Sequence, residues 1–440
     1  LEPRALNRLE IVWHGNSPSI DQLSLKSRLS MSSYDVSAVR SSFPILQHEV
    51  HGKPLVYLDN AATSQKPEAV LEVSRHYYER LNSNIHRGTH HLAQEATAAH
   101  ENARELIARH LNASSAEEII FTGGATDGIN LISSTLGYSG KISPGDIIAI
   151  SNLEHHSNTV PWQMLCDRSG AVLEVIPVTE QGAIDPADFD HLLEKTSGRL
   201  KVLALTHISN AFGTILPLAQ MIESAHRAGA LVVVDGAQAV PHLSVDVQKL
   251  DADFYVFSGH KVYAPTGIGV LYGKHSLLEE LPPWRGGGEM IRKVSYDGTT
   301  FNDLPYKFEA GTPNIEGAIA LAAALNFLNE LGLQNVSNHE NEMIRRAADA
   351  LTSIRGLALY GPSDRSGSLS FNIDGIHHYD LGTLVDKMGI AVRTGHHCCQ
   401  PLMNRFGITG TLRASFGCFN NEDDVDRLAE AVEKGVEMLR

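Results

Sequence analysis

The chain has 440 residues, 42% of them hydrophobic and 20% charged, with a net charge of -15. That length suggests roughly two or three domains of about 150 residues each, in an ordinary globular composition. The acidic balance argues against nucleic acid or an anionic membrane as a main partner, since both need clustered Lys and Arg. No apolar run approaches the roughly 20 residues of a membrane-spanning helix. Four cysteines, Cys166, Cys398, Cys399 and Cys418, are too few for a disulfide framework and read as reduced thiols in a reducing compartment.

Residues 1–35 are left unassigned. Up to Met31 they lack sustained periodicity and have no charged segment followed by an apolar run, which argues against a secretory signal. Their Ser, Arg and Lys with few acids fit equally an organelle transit remnant and an untranslated or vector-derived leader.

From residue 55 onward, short apolar runs alternate with amphipathic segments. Strands are expected at 117–121, 146–151, 171–178, 201–209, 231–235, 254–258 and 269–273, and helices at 67–81, 99–111 and 217–229. Continuous Val, Ile and Leu without polar alternation suits strands buried on both faces of a mostly parallel, seven-stranded sheet. The order predicts an α/β domain over 55–329 with helices on both sheet faces. Beyond the alanine-rich helix at 317–331 the rhythm changes, which predicts a smaller α+β domain over 330–440, with 36–54 packing on it.

Ligands of open α/β sheets collect at the carboxyl ends of strands, and four stretches end a predicted strand with polar residues. "FTGGATDGIN" (121–130) runs through glycines into a helix whose free N–H groups, with the Thr126 hydroxyl, suit a phosphate; a plain strand-to-helix turn is the alternative. "VVVDGAQ" puts Asp235 at the edge of the core, where its charge needs a partner such as a protonated ring nitrogen, unless it only caps a helix. "FSGHKVYAPTGIG" places Lys261 directly after a buried strand, where desolvation favours a Schiff-base amine over a snorkelling surface lysine. Ser258 and His260 flank it. "SNLEHHSNTVPW" offers His155 or His156 for stacking on a planar cofactor or for acid/base work. A phosphate turn, an aspartate for a ring nitrogen and a Schiff-base lysine, in that order, together describe a pyridoxal 5'-phosphate site.

The segment "RTGHHCCQPL" (393–402) poses a separate question. Four consecutive residues cannot easily converge on one tetrahedral metal, and a vicinal disulfide needs a strained ring, so no metal site is assigned here. A nucleophilic thiolate with a bystander fits best, because Arg393, His396 and His397 would lower a neighbouring cysteine's pKa.

From about Asp35 to the C-terminus the sequence resembles the SufS-type (group II) cysteine desulfurases of the fold-type I pyridoxal-phosphate enzymes, and is similar to selenocysteine lyases. The resemblance rests on "YLDNAATSQKP", "NSNIHRGTH", "EHHSNTVPWQML", "THISNAFGT", "VDGAQAVPH", "DFYVFSGHKVYAPTGIG", "FEAGTPN" and "VRTGHHCCQPLM". It implies that Lys261 carries the cofactor and acts as base, Asp235 pairs with the ring nitrogen, Gln238 and Asn210 lie near the ring hydroxyl, and His155 stacks on the ring. Thr126, Ser258 and His260 would hold the phosphate; a backbone N–H at Ala125 would replace the hydroxyl that several relatives carry there. Thr312 would reach the phosphate of the neighbouring subunit, which implies a homodimer. Arg393 and Arg413 would bind the substrate carboxylate, with His86 and Arg87 lining the entry from the partner. Cys398 would take sulfur from L-cysteine as a persulfide, leaving L-alanine, and pass it to a SufE-like or scaffold protein feeding iron–sulfur cluster assembly. Selenocysteine lyase activity is the alternative. The resemblance places the protein in a bacterial cytoplasm, or in a plastid stroma if the source is a photosynthetic eukaryote. Aminotransferases and kynureninase-like lyases need no mobile cysteine, so the Cys398 segment discriminates against them.

Overall fold

The computed structural model describes residues 34–196 and 198–440; of the leader assigned to 1–35, residues 1–33 lie outside them. All seven expected strands form. They are β1 (Ile119–Thr122), β2 (Ile147–Ser151), β3 (Val172–Ile176), β4 (Leu200–Thr206), β5 (Leu231–Asp235), β6 (Phe254–Ser258) and β7 (Gly269–Gly273). They make one sheet in the order β1-β7-β6-β5-β4-β2-β3. Every pairing is parallel except those of β7, which runs antiparallel to both β1 and β6.

Successive side chains of these strands enter opposite layers. Val232 and Val234 join the larger core with Leu203, Leu205 and Phe257, whereas Val233 joins Val202, Val256 and Leu271 under the opposite helices. Burial on both faces therefore holds for the central strands. It fails for β3, where Val172 and Val175 are exposed: β3 is an edge strand with β2 as its neighbour.

The helices start where capping allows rather than where apolar periodicity begins. The helix expected at 99–111 is α1 (His91–Leu111), eight residues longer, because the His90 side chain accepts the Ala93 N–H and starts it early. The phosphate-turn helix is α2 (Ala125–Tyr138), and the alanine-rich one is α3 (Ile315–Leu331). Residues 117 and 118 begin no strand, because Ser115 and Glu118 form a reciprocal cap around a short 3₁₀ turn.

A second sheet follows α3, built of β8 (Leu357–Tyr360), β9 (Ser368–Ile373), β10 (Arg393–Gly395) and β11 (Thr411–Ser415) in the order β8-β9-β11-β10. Phe371, Leu412 and Ala414 pack with Val425 and Leu428 of the last helix, α4 (Glu422–Leu439). Val56 and Leu58 are buried in this cluster too, and Val56–Tyr57 pairs in parallel with Ile390–Ala391. Within 36–54, Arg40 pairs with Asp424, while Phe43 packs against Tyr263, Phe327 and Phe419. The four cysteines are free thiols. Among the described residues no helix is long and apolar enough to cross a membrane.

Candidate active site

A cavity of about 210 Å³ opens at the carboxyl ends of β4, β5 and β6, between the large sheet and the β10–β11 edge of the small one. Asp235 ends β5 and Ser258 ends β6, so each is delivered by a strand buried along its length. The chain then turns through Gly259–Lys261 and presents Lys261 to the same cavity.

The phosphate turn has the expected build. Gly124 adopts φ +149°, and a Cβ on the adjacent Gly269 would lie 2.4 Å from the Gly124 Cα; both positions need glycine. The Ala125 N–H, at the start of α2, donates to Ser258 Oγ at 2.8 Å. Thr126 Oγ1 lies 2.7 Å from Ser157 Oγ, on the opposite wall. The N-terminus of α2 and the hydroxyls of Thr126, Ser157 and Ser258 thus line the same cavity.

Asp235 is buried and accepts the Ala237 N–H on Oδ1 at 3.0 Å. Burial raises its pKa, while the charge of Lys261 opposes the rise. For Lys261 the balance is reversed: burial lowers its pKa and Asp235 opposes the fall. A cation facing Asp235 would relieve a buried carboxylate with few donors. His155 lines the cavity with its pKa lowered to about 3, by burial first and Lys261 second. It is a neutral ring at physiological pH, held at Nδ1 by the Ser157 N–H at 3.0 Å. Gln238 reaches the Ala61 carbonyl at 2.8 Å, and Asn210 and His260 complete the wall.

On the small-sheet side Arg393 and Arg413 stand opposite each other across the β10–β11 pair. Arg413 is buried and donates to the Asn210 carbonyl at 2.7 Å and to Asp59 Oδ1 at 3.1 Å. Its Nε has no partner, nor has Nδ1 of His397, which also borders the cavity. The unpaired Arg413 Nε–H at this wall fits an anionic group of a bound molecule.

The two cysteines part here. His397 and Cys398 both take left-handed backbone conformations, φ +52° and +56°, and Cys398 faces the cavity. Cys399 is fully buried, donates its thiol to Asn210 Oδ1 at 3.1 Å, and has its pKa pushed up by burial.

Some expected residues are not brought to this cavity. Thr312 lines a neighbouring cavity of about 830 Å³, which shares Thr126, Ser258 and His260 with the first. His86 lies between Glu289 (3.1 Å) and Glu101 (2.9 Å), and Arg87 pairs with Glu289 at 3.1 Å. His156 turns away from the cavity toward the Cys398 segment. Sequence reasoning missed Asp59, Ser157, Thr206 and Glu154. Glu154 is buried, accepts the Thr206 N–H at 3.0 Å and Asn158 Nδ2 at 2.6 Å, and has its pKa raised by burial to about 8. With Ser151 Oγ also donating to it, it ties the ends of β2 and β4 together. All four stand inside quoted motifs: Asp59 in "YLDNAATSQKP", Glu154 and Ser157 in "EHHSNTVPWQML", and Thr206 in "THISNAFGT".

The chain matches the family model described as Aminotransferase class-V over residues 56–428. It is 50% identical over 405 residues, 92% of this chain and 99% of the other, to a protein of Vibrio cholerae named "Probable cysteine desulfurase". The crystal structure of the Escherichia coli cysteine desulfurase CsdA, in an S-sulfonic acid form, superposes with a TM-score of 0.86 at 43% identity, covering 93% of this chain and 100% of that one. A C-DES mutant carrying glycine covalently linked to its PLP cofactor shares the fold at TM-score 0.77 and 22% identity, covering 90% of this chain and 98% of that one. A carboxylate–lysine pair under a phosphate-type turn, on a chain that matches the Vibrio cholerae protein over 92% of its length, has one reading: the chain belongs to the class-V aminotransferase family, among its pyridoxal-phosphate-dependent cysteine desulfurases.

Proposed function

We propose that this protein converts L-cysteine to L-alanine and keeps the sulfur as a persulfide on Cys398. The observation that carries the reading is that Lys261, Asp235, Arg413 and Cys398, from both sheets, open onto one cavity.

Pyridoxal 5'-phosphate, when bound, supplies an electron sink that makes the substrate's α-proton acidic. The residues around the cavity fit it. Ser258, His260, Thr126 and the Ala125 N–H would hold its phosphate, Asp235 its ring nitrogen, Gln238 and Asn210 its ring hydroxyl, and His155 would stack on its face. Lys261 would hold it covalently and move the α-proton, a role suited to an amine whose pKa is lowered by burial. Arg393 and Arg413 would orient the substrate carboxylate. Cys398 then attacks the substrate sulfur: an S–S bond forms, the substrate's C–S bond breaks, and its electron pair is protonated at carbon to give alanine. One thiol hydrogen of substrate and one of enzyme are accounted for in the new methyl group and the persulfide, so no external oxidant enters.

We further propose a homodimer in which Thr312 serves the phosphate of the partner's site and His86 and Arg87 line its entry, supported by their position outside this chain's own cavity. A SufE-like or scaffold protein would receive the sulfur for iron–sulfur cluster assembly. A reducing compartment, bacterial cytoplasm or plastid stroma, suits the free thiols. The same proposal keeps the division into 55–329 and 330–440, supported by the separate sheets; Phe43 ties 36–54 to the larger part as well.

The test is alanine and sulfide production from L-cysteine, with and without a SufE-like protein, alongside selenide from selenocysteine and the position of the alkylated persulfide by mass spectrometry. No alanine from holoenzyme, or sulfur located away from Cys398, would overturn the reading.

A further inference from the structure

We infer that His156 is a positioning residue for Cys398, holding the turn that carries the thiol by two hydrogen bonds that bracket it. The inference rests on Cys398 being the sulfur acceptor.

Two consecutive non-glycine residues in the left-handed region, His397 and Cys398, make a turn that the backbone does not favour by itself. It persists because its polar groups are held from outside. The His156 N–H donates to the Cys398 carbonyl at 2.7 Å. On the other side of the thiol, the Gln400 N–H donates to His156 Nε2 at 3.1 Å. Asn210 Nδ2 holds the His397 carbonyl at 2.7 Å, and His396 Nδ1 accepts the Cys398 N–H at 3.1 Å. His156 thus joins the segment after β2 of the large sheet to the turn after β10 of the small one, on both flanks of Cys398.

The imidazole contact has a protonation requirement. His156 Nε2 receives a hydrogen bond only while it carries no proton. The ring of His396 lies 5.6 Å from that of His156. The titratable groups facing His156 are His155 on its own turn, 6.2 Å between rings, and His396 on the Cys398 turn. Burial, then His396, lowers the pKa of His156, which keeps the acceptor available at neutral pH. Acidification therefore removes the Gln400 contact and loosens that flank of the turn.

The experiment uses holoenzyme and follows amide hydrogen exchange of the 393–402 segment by mass spectrometry, corrected for intrinsic rates, at about pH 7.5 and about pH 5.5. Wild-type protection should fall roughly threefold to tenfold at the lower pH. His156→Leu should lose about fivefold protection at both, on the scale of one lost hydrogen bond. His156→Gln, whose amide oxygen accepts without titrating, should match wild type at about pH 7.5 and lose less protection than wild type at about pH 5.5. In alanine formation, His156→Leu should lower kcat about fivefold with KM little changed, and His156→Gln should restore it. Wild-type levels of protection and kcat in His156→Leu would overturn the inference. Should that variant not fold, the wild-type and His156→Gln pH comparison decides, and an identical acid loss in both overturns it. Sulfur transfer that survives Cys398→Ser would instead sink the nucleophile assignment, whatever the exchange data show.

Discussion

Cys399 and Asn210 are joined by a hydrogen bond, thiol to Oδ1 at 3.1 Å, and the same amide holds the carbonyl of His397 at 2.7 Å. One side chain thereby fixes which of two adjacent cysteines is sequestered and which faces the cavity. Neighbouring residues on a tight turn point apart, so burying Cys399 leaves Cys398 exposed to whatever the cavity holds.

The two thiols should consequently behave differently on substitution. Cys398→Ser should fold and retain cofactor but form little alanine. Cys399→Ala should retain sulfur transfer while losing about 1–3 kcal/mol of stability, because Asn210 Oδ1 is left without its donor. Alanine assays and urea unfolding of both variants check this; a persulfide found mainly on Cys399 would reverse the roles.

Borohydride treatment of the holoenzyme should fix the cofactor to Lys261, and Lys261→Ala should lose that label. Its amine is kept reactive by burial and opposed only in part by Asp235. Peptide mapping reads the outcome, and a label on any other lysine would refute the assignment.

Arg413→Ala should raise KM for L-cysteine at least about tenfold, the worth of one charge-assisted pair of roughly 1.5–3 kcal/mol. Asp59→Asn separates binding from architecture. It weakens the 3.1 Å pair that holds Arg413 but leaves the guanidinium, so its effect on KM should be smaller. Equal KM values for Arg413→Ala and wild type would leave Arg413 a purely structural residue.

Acid stability should depend on Glu101. Burial would raise its pKa, but hydrogen bonds from His100 and His86 and the charge of Arg104 outweigh that and hold it well below the usual carboxylate range. A depressed carboxylate contributes stability that is complete above its unfolded pKa of about 4.3 and is lost as pH falls toward the folded value. His86, raised chiefly by its bond to Glu101, acts in the opposite sense: its contribution is complete below about pH 6.5 and is lost as pH rises through its folded pKa. Thermal melts of Glu101→Gln should therefore show lower stability at neutral pH and a flatter slope below about pH 4. A slope unchanged from wild type would show that other carboxylates govern acid unfolding.

Much of this molecule is decided locally. Each of the seven apolar runs forms its strand, since a run of Val, Ile and Leu between helices has little stable alternative to a central strand. Asp235, Ser258 and Lys261 end such runs, so their delivery to one sheet edge follows from strand order in the chain. The glycines of the phosphate turn are likewise readable, because backbone approach there excludes a Cβ.

What the tertiary structure alone decided concerns groups that meet across long sequence separations. Nothing near Cys399 marks it as buried; that depends on Asn210, 189 residues away. His155 and His156 look alike in sequence, yet one faces the cavity and the other grips the Cys398 turn, because a short helical turn points adjacent side chains apart. β3 reads as a buried strand and is exposed, because edge position is a property of the whole sheet order. Apolar pattern and glycine placement act over a few residues and can be read in the chain, whereas hydrogen-bond partners and burial depend on which distant segments the fold brings into contact.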